Sequence, residues 1–316
     1  MKPLISSRPI LGSTIFLTGA TGFLGSALLK ALLDSGRMVI ATVRPTSQYD
    51  RITEFRNHSN LLLVDNEPNQ LAAVFKNHQI GVIIHTATEY GRGQTPIASI
   101  LDSNLILPIR LAELGVIHGV RGFINTDSYF NKPNSSYSNL LNYSLSKKTL
   151  LVWLEKLSSK ISIANLVLEH MYGPFDSRTK FVEDMIQSIA IERKPYLKLT
   201  HGHQRRDFIF YSDVVDAYMK VLDYMENHTF NYKKLEVGTG ESMQIKEFVS
   251  TISSICGGQT HLDFGAIEYR DDEIMNSQAD IRGMTDLGWQ PKIKPSEGII
   301  KIIDTYSAHS KARNLV

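Results

Sequence analysis

The apolar run Ser13-Thr14-Ile15-Phe16-Leu17-Thr18 stops at Gly19-Ala20-Thr21-Gly22-Phe23-Leu24-Gly25, and helical spacing continues over residues 24–33 until Ser35-Gly36. Few folds accept a strand, three spaced glycines and a helix in immediate succession. An uninterrupted apolar strand is one buried on both faces, as in a parallel sheet. The glycines then predict a tight turn, close approach of a pyrophosphate to the backbone and close helix packing, while the helix N-terminus adds partial positive charge. Glycines near strand ends are more often plain turn residues, so the weight falls on the rest of the chain.

Downstream the pattern repeats. Residues 37–43, 60–64, 81–86, 122–126 and 161–169 read as further strands, separated by helical segments that include 101–114 and 143–156. Such alternation predicts an α/β fold, a doubly wound parallel Rossmann sheet with ligands at the carboxyl ends of its strands. After Tyr172-Gly173-Pro174 the alternation fades into a helix at 181–191, a strand at 208–210 and helices at 245–255 and 295–306. We therefore expect residues 1–172, with later segments returning to the sheet, to form a dinucleotide-binding Rossmann domain. Residues 173–316 should form mainly a smaller C-terminal mixed α/β substrate lobe, with no linker between the two.

Charge and cysteine content narrow the partners. In 316 residues, 34 Lys+Arg face 32 Asp+Glu for a net charge of +2, too little for a general nucleic-acid surface. Cys256 is the sole cysteine, which excludes an internal disulfide and predicts a small buried residue in a reducing compartment. Lys2 and Arg8 before the apolar 14–33 stretch mimic a secretion signal, but Gly12 stands just ahead of it and Gly19, Gly22, Gly25 and Lys30 interrupt it. No segment has the ~20 unbroken apolar residues of a spanning helix, so the expectation is a cytoplasmic protein without membrane insertion. His201-Gly202-His203 lacks the acids or thiols of a ligand set, and no metal is expected.

The nucleotide end carries its own discriminator. An NAD site places Asp or Glu after the second strand to accept from the adenosine ribose, yet the chain reads Ala41-Thr42-Val43-Arg44. Arg44 can grip a ribose 2′-phosphate, which favours NADPH over NAD. A solvated loop arginine is the bland alternative. Asp65, ending the third strand, can accept from the adenine amino group or cap the next turn. Further on, Tyr143 and Lys147 stand four residues apart on one helix face, where an ammonium eases proton exchange at a phenol.

Taken in order, Thr18 to Gly25, His85-Thr86-Ala87-Thr88, Asn104, Thr126, Tyr143-x-x-x-Lys147, Tyr172-Gly173-Pro174, Arg206-Asp207-Phe208, Val237-Gly238-Thr239-Gly240 and Arg270 resemble the extended short-chain dehydrogenase/reductase family of nucleotide-sugar epimerases, dehydratases and reductases. The resemblance runs from about Thr14 to about Thr305. Within the family, His85 to Gly91, Asn125 to Ser128, Leu168 to Pro174 and Phe264 to Glu268 look like the CDP-abequose synthases, with the CDP-paratose synthases closely related. Those enzymes reduce the C4 ketone of a CDP-4-keto-3,6-dideoxyhexose with NADPH, toward dideoxysugars of lipopolysaccharide O-antigens.

The resemblance implies roles position by position. Tyr143 is the general acid at the C4 oxygen, Lys147 holds the nicotinamide ribose, Thr126 hydrogen-bonds the same carbonyl, and Asn104 holds the active-site backbone and a relay water. Gly19, Thr21, Gly22, Phe23, Leu24, Gly25, Arg44, Asp65, Thr86, Ala87, Thr88 and His170 join Tyr143 and Lys147 at the cofactor. Arg206 and Arg270 bind the substrate diphosphate, with Arg205 an alternative to Arg206. Glu89, Tyr90, Asp127, Ser128, Glu169 and His170 are candidates for the sugar, although a buried structural bond accounts equally well for Glu169.

The family's dehydratases carry Thr-Asp-Glu where this chain has Thr126-Asp127-Ser128. A serine hydroxyl is no substitute for that carboxylate as a base, so dehydration is disfavoured. A 4-epimerase with tightly held NAD and a non-catalytic NADPH-binding regulator remain as alternatives. The substrate is thus expected to be a CDP-linked nucleotide sugar, and homodimers are common in the family.

Overall fold

The computed structural model describes residues 14–132 and 140–313; Lys2, Arg8, Gly12 and Ser13, invoked above, lie outside the described residues. The first six strands are β1 (Thr14–Thr18), β2 (Val39–Val43), β3 (Leu61–Asp65), β4 (Ile80–His85), β5 (Gly122–Ser128) and β6 (Ser162–Leu168). Four short strands come next, β7 (His170–Tyr172), β8 (Tyr196–Leu199), β9 (Arg205–Arg206) and β10 (Phe208–Phe210), then β11 (Tyr232–Val237), β12 (Met243–Gln244) and β13 (His261–Phe264). The helices are α1 (Phe23–Asp34), α2 (Pro68–Asn77), α3 (Ile97–Leu101), α4 (Leu107–Ile117), α5 (Leu141–Leu157), α6 (Phe181–Ile186), α7 (Tyr211–Asn227), α8 (Ile245–Ile255), α9 (Arg282–Asp286) and α10 (Pro295–Arg313).

Seven strands make one sheet in the order β11-β6-β5-β4-β1-β2-β3. β1 pairs in parallel with β2 on one side and β4 on the other, Ile15 meeting both Val39 and Val82. Full burial of Ile15, Phe16 and Leu17 explains why β1 is apolar at every interior position rather than alternately. Because the chain moves from β1 outward to β2 and β3, then returns to β4 on the opposite side, the carboxyl end of β1 is the point where winding reverses. Crevices that receive ligands open there in this architecture.

One departure from the expected helix at 101–114 matters for the site. Between α3 and α4 the backbone widens into a π-helical turn over Asp102–Ile106, where the Leu107 amide donates to the Asp102 carbonyl five residues back. Pro108 is the local cause: it has no N–H for the Asn104 carbonyl, and its ring would collide with that carbonyl in a regular helix.

The chain divides into two compact units. The first comprises the described part of Met1–Thr126 with Leu145–Asn165 and Tyr218–Lys233. Its core gathers Phe16, Ile83, Leu111, Phe123, Leu150 and Ile163. The second comprises the described part of Asp127–Ser144, Leu166–Ala217 and the described part of Lys234–Val316. Its core is built on Tyr172, Ile186, Phe208, Phe248, Ile252 and Ile299, with the Phe208 and Phe248 rings stacked at 3.9 Å. Val182, Met185 and Ile186 of α6 are spent in this core, the default for an apolar helix face.

Cys256 is half-buried rather than fully enclosed, and burial pushes its thiol up. No helix among the described residues is long and apolar enough to cross a membrane. His201 and His203 lie in a loop with their rings nearly parallel, 6.2 Å apart.

Candidate active site

A cleft of about 140 Å³ opens in the first unit at the carboxyl end of β1. Of the predicted cofactor residues, Gly19, Thr21, Gly22, Arg44, Thr86, Ala87 and Thr88 line it. Ser47, Asn66, Ser103 and Leu107 line it too, and sequence reasoning missed them. Ser47 had a signal in hindsight, three residues after Arg44: its hydroxyl accepts from the Arg44 amide at 2.9 Å, a local turn device of Ser and Thr.

The glycines are dictated by contact. Gly19 has φ +73°, a region side chains rarely enter. A Cβ on Gly25 would stand 1.9 Å from the Gly19 carbonyl oxygen, so α1 could not approach the turn. Phe23 opens α1, with the Arg51 guanidinium 5.7 Å from its ring centroid, and Leu24 and Gly25 are buried on the same helix. Asp65 ends β3 beside the cleft-lining Asn66, and its Oδ1 is buried with no hydrogen-bond partner among the described residues. A cradle that no side chain could share, a guanidinium after β2 and an orphaned carboxylate oxygen after β3 together suit a dinucleotide.

Thr18 ties β1 to β4. Its hydroxyl pairs with His85 Nδ1 at 2.9 Å and accepts from the Thr86 and Ala87 amides, while the Thr86 hydroxyl donates to the Thr18 carbonyl at 2.7 Å. Burial, then the nearby Lys147 ammonium, holds His85 well below its ordinary pKa. His85 therefore stays neutral and leaves the local positive charge on Lys147.

Asn104 sits in the π-helical turn, fully buried, and works as a clamp. Its Oδ1 accepts from the Glu89 amide at 2.8 Å, and its Nδ2 donates to the Glu89 carbonyl at 2.8 Å and to Ser146 Oγ at 3.0 Å. It thus links the segment after β4 to the residue preceding Lys147. Lys147 is only 1% exposed and donates to the Thr126 carbonyl at 2.8 Å. Glu89 Oε1 accepts from the Gly91 amide at 3.0 Å, and Arg92 covers the Tyr90 ring at 5.3 Å.

Thr126 departs from the expected arrangement. Its hydroxyl donates to the His85 carbonyl at 2.7 Å and pairs with the Tyr218 hydroxyl at 2.6 Å. A hydroxyl has one proton, so Thr126 does not point a donor outward here. Tyr218, 92 residues away, carried no sequence signal because a tyrosine at helical spacing reads as core.

In the second unit, Tyr143 occupies the first turns of α5, 4% exposed, with Phe130 edge-on at 6.3 Å. Asp127 is buried and accepts from Asn131 Nδ2 at 2.6 Å, and Ser128 Oγ accepts from the Phe130 amide. His170 Nε2 pairs with the Tyr129 hydroxyl at 3.1 Å, and burial, then Arg206 and Lys180, keeps its pKa well below the usual value. Asp207 accepts from the Thr239, Gly240 and Ala279 amides, which fixes the turn after β11.

One sugar-end expectation needs correction, and a second candidate is already engaged. Glu169 is not available to a ligand: Lys132 takes Oε1, Ser277 Oγ donates to Oε2 at 2.7 Å, and its side chain is fully buried. Burial raises its pKa against the opposing pull of Lys132. Arg206 is present but committed, with Glu273 as counter-ion and the Ile274 carbonyl as a second acceptor. Arg205 is held by Ser242, and Arg270 is exposed.

Residues 15–232 match the sequence model of the NAD dependent epimerase/dehydratase family. A CDP-abequose synthase of Salmonella muenchen is 33% identical over 293 residues, covering 92% of this chain and 96% of that protein. A UDP-glucose 4-epimerase of Mycolicibacterium smegmatis is 25% identical, with 93% and 99% covered. Among solved structures, a UDP-glucose 4-epimerase of Thermotoga maritima superposes with a TM-score of 0.79 at 19% identity, covering 94% and 99% of the two chains. That likeness speaks for the fold.

Proposed function

Because the chain belongs to the NAD dependent epimerase/dehydratase family, we propose that it reduces the C4 ketone of a CDP-linked 4-keto-3,6-dideoxyhexose with NADPH, yielding CDP-abequose. The observation that carries net reduction is the β2 end of the cleft. Arg44 and Ser47 stand there, and none of the described residues lining the cleft is acidic. A ribose with a free 2′-hydroxyl asks for a carboxylate at that place, whereas a 2′-phosphate asks for a guanidinium and hydroxyl. The CDP moiety and the abequo configuration rest on the likeness to the Salmonella protein.

Gly19, Gly22 and the opening of α1 would hold the pyrophosphate, Thr86 to Thr88 the nicotinamide half, and Asp65 the adenine. Bound NADPH supplies the hydride. Tyr143 then delivers a proton to the C4 oxygen, turning ketone into alcohol, and Lys147 stabilises the resulting phenolate until solvent restores the proton. Thr126 orients the ketone by swinging its proton from the His85 carbonyl to the C4 oxygen. Asn104 holds the Glu89 segment and α5 in register. Arg206 and Arg270 meet the diphosphate, Arg206 exchanging Glu273 for it. Tyr90, Asp127, Ser128 and His170 are left to shape the sugar pocket.

NADPH oxidation with CDP-4-keto-3,6-dideoxyglucose, then product NMR, tests substrate and stereochemistry together. Stable copurified NAD with interconversion of 4-epimers and no NADPH loss would establish the epimerase reading that the Mycolicibacterium relative represents.

Two further outcomes are expected. Arg44→Ala should weaken NADPH binding about tenfold or more, the worth of a charge-assisted bond, and leave NADH binding unchanged; equal losses for both cofactors would refute the 2′-phosphate assignment. Leu145, Val152 and Trp153 are exposed on α5 at 58%, 67% and 45%, as a buried dimer face would require of one chain. Sedimentation should show a dimer that Trp153→Arg converts to monomer.

A further inference from the structure

We infer that Tyr218 is a positioning residue for the reaction, acting through Thr126; the inference rests on the proposed role of Thr126 at the ketone. Tyr218 is completely buried on α7, and its hydroxyl lies 2.6 Å from Thr126 Oγ1. Thr126 Oγ1 gives its single proton to the His85 carbonyl at 2.7 Å. The shared proton between the two hydroxyls therefore comes from the phenol, and Thr126 is an acceptor toward Tyr218 and a donor toward His85.

Three bonds then fix one residue. Lys147 grips the Thr126 carbonyl at 2.8 Å, Tyr218 donates to its hydroxyl oxygen, and the His85 carbonyl receives its proton. The His85 end is itself anchored, since its imidazole is tied to Thr18 at 2.9 Å. Threonine has few side-chain rotamers, and rotating it would present a methyl group to a buried phenol. With the oxygen held in place by Tyr218, delivery of a hydrogen bond to a ketone needs only rotation about the C–O bond. The incoming phenol proton also polarises the threonine hydroxyl, making it a better donor.

The test is a set of variants assayed with NADPH and the nucleotide-sugar ketone. Tyr218→Phe should lower kcat about five- to tenfold, with the KM for the sugar nucleotide and the Kd for NADPH within about twofold of wild type. In a Thr126→Val background, Tyr218→Phe should cost nothing more in kcat. Equal losses in both backgrounds, or unchanged kcat in the single variant, would overturn the positioning role. Thr126→Ser provides a readout if Tyr218→Phe fails to fold: with the phenol intact it should keep kcat within about threefold, and a loss as large as that of Thr126→Val would count against Tyr218. Wild-type protein that turns over no nucleotide-sugar ketone removes the underlying reading and the positioning role together; wild-type turnover with an unaffected Tyr218→Phe removes the positioning role alone.

Discussion

Tyr143→Phe is expected to bind NADPH as tightly as the wild type and to lose at least about 100-fold in kcat, the lower range for removal of a general acid. The substitution keeps the ring and therefore its edge contact with Phe130, and only the hydroxyl is lost. Tyr143 is 4% exposed, and phenylalanine in its place has no proton to give the C4 oxygen. Lys147 is unaffected four residues along α5, and the residues lining the cleft are all elsewhere. Cofactor fluorescence and steady-state turnover separate the two readouts. A fall in NADPH affinity that matches the fall in kcat would mean that Tyr143 binds rather than protonates, and unchanged turnover would remove it from the mechanism.

The second large effect is expected at Gly25→Ala. One methyl group would lie 1.9 Å from the Gly19 carbonyl oxygen and 2.9 Å from the Thr86 hydroxyl, and neither neighbour yields without disturbing the turn. The Gly22 amide donates to that same Gly19 carbonyl at 2.9 Å, so displacing it reshapes the cradle proposed for the pyrophosphate. Overpacking of this kind costs about 1–3 kcal/mol or more. We expect NADPH affinity to fall at least about tenfold, with a lower Tm as well. Gly36→Ala serves as the control, because a Cβ there meets nothing within 4 Å; its positive φ strains the backbone beyond the opposite end of α1 without crowding it. Wild-type affinity in Gly25→Ala would show that the turn has slack that the structure does not reveal.

The sheet was legible because its strands announce themselves by burial. β1, β2 and β4 carry apolar residues on both faces, and each is terminated by a turn residue or helix signal, so reading and structure agree to within about two residues. The same is true of the glycine turn, whose requirements are local. The π-helical turn at Asp102–Ile106 was hidden because helical periodicity absorbed it; Pro108 was the signal, four residues after Asn104. Glu169 could not be separated from the sugar candidates because Lys132 and Ser277, which occupy it, lie 37 and 108 residues away. Nor could Arg206 reveal Glu273, or Thr126 reveal Tyr218. Partners at such separations are chosen by the fold, and no periodicity records them.

The strand order also has a consequence during synthesis. β1 to β5 can pair soon after they leave the ribosome, since each finds its neighbour among strands already made. β6 is different: its outer neighbour β11 begins only at Tyr232, well after Leu168 ends β6. At about 5–20 residues per second, β6, destined for burial at every position, waits several seconds with one edge open, a template for pairing with other chains. A codon-level slowdown between β6 and β11 would lengthen that interval.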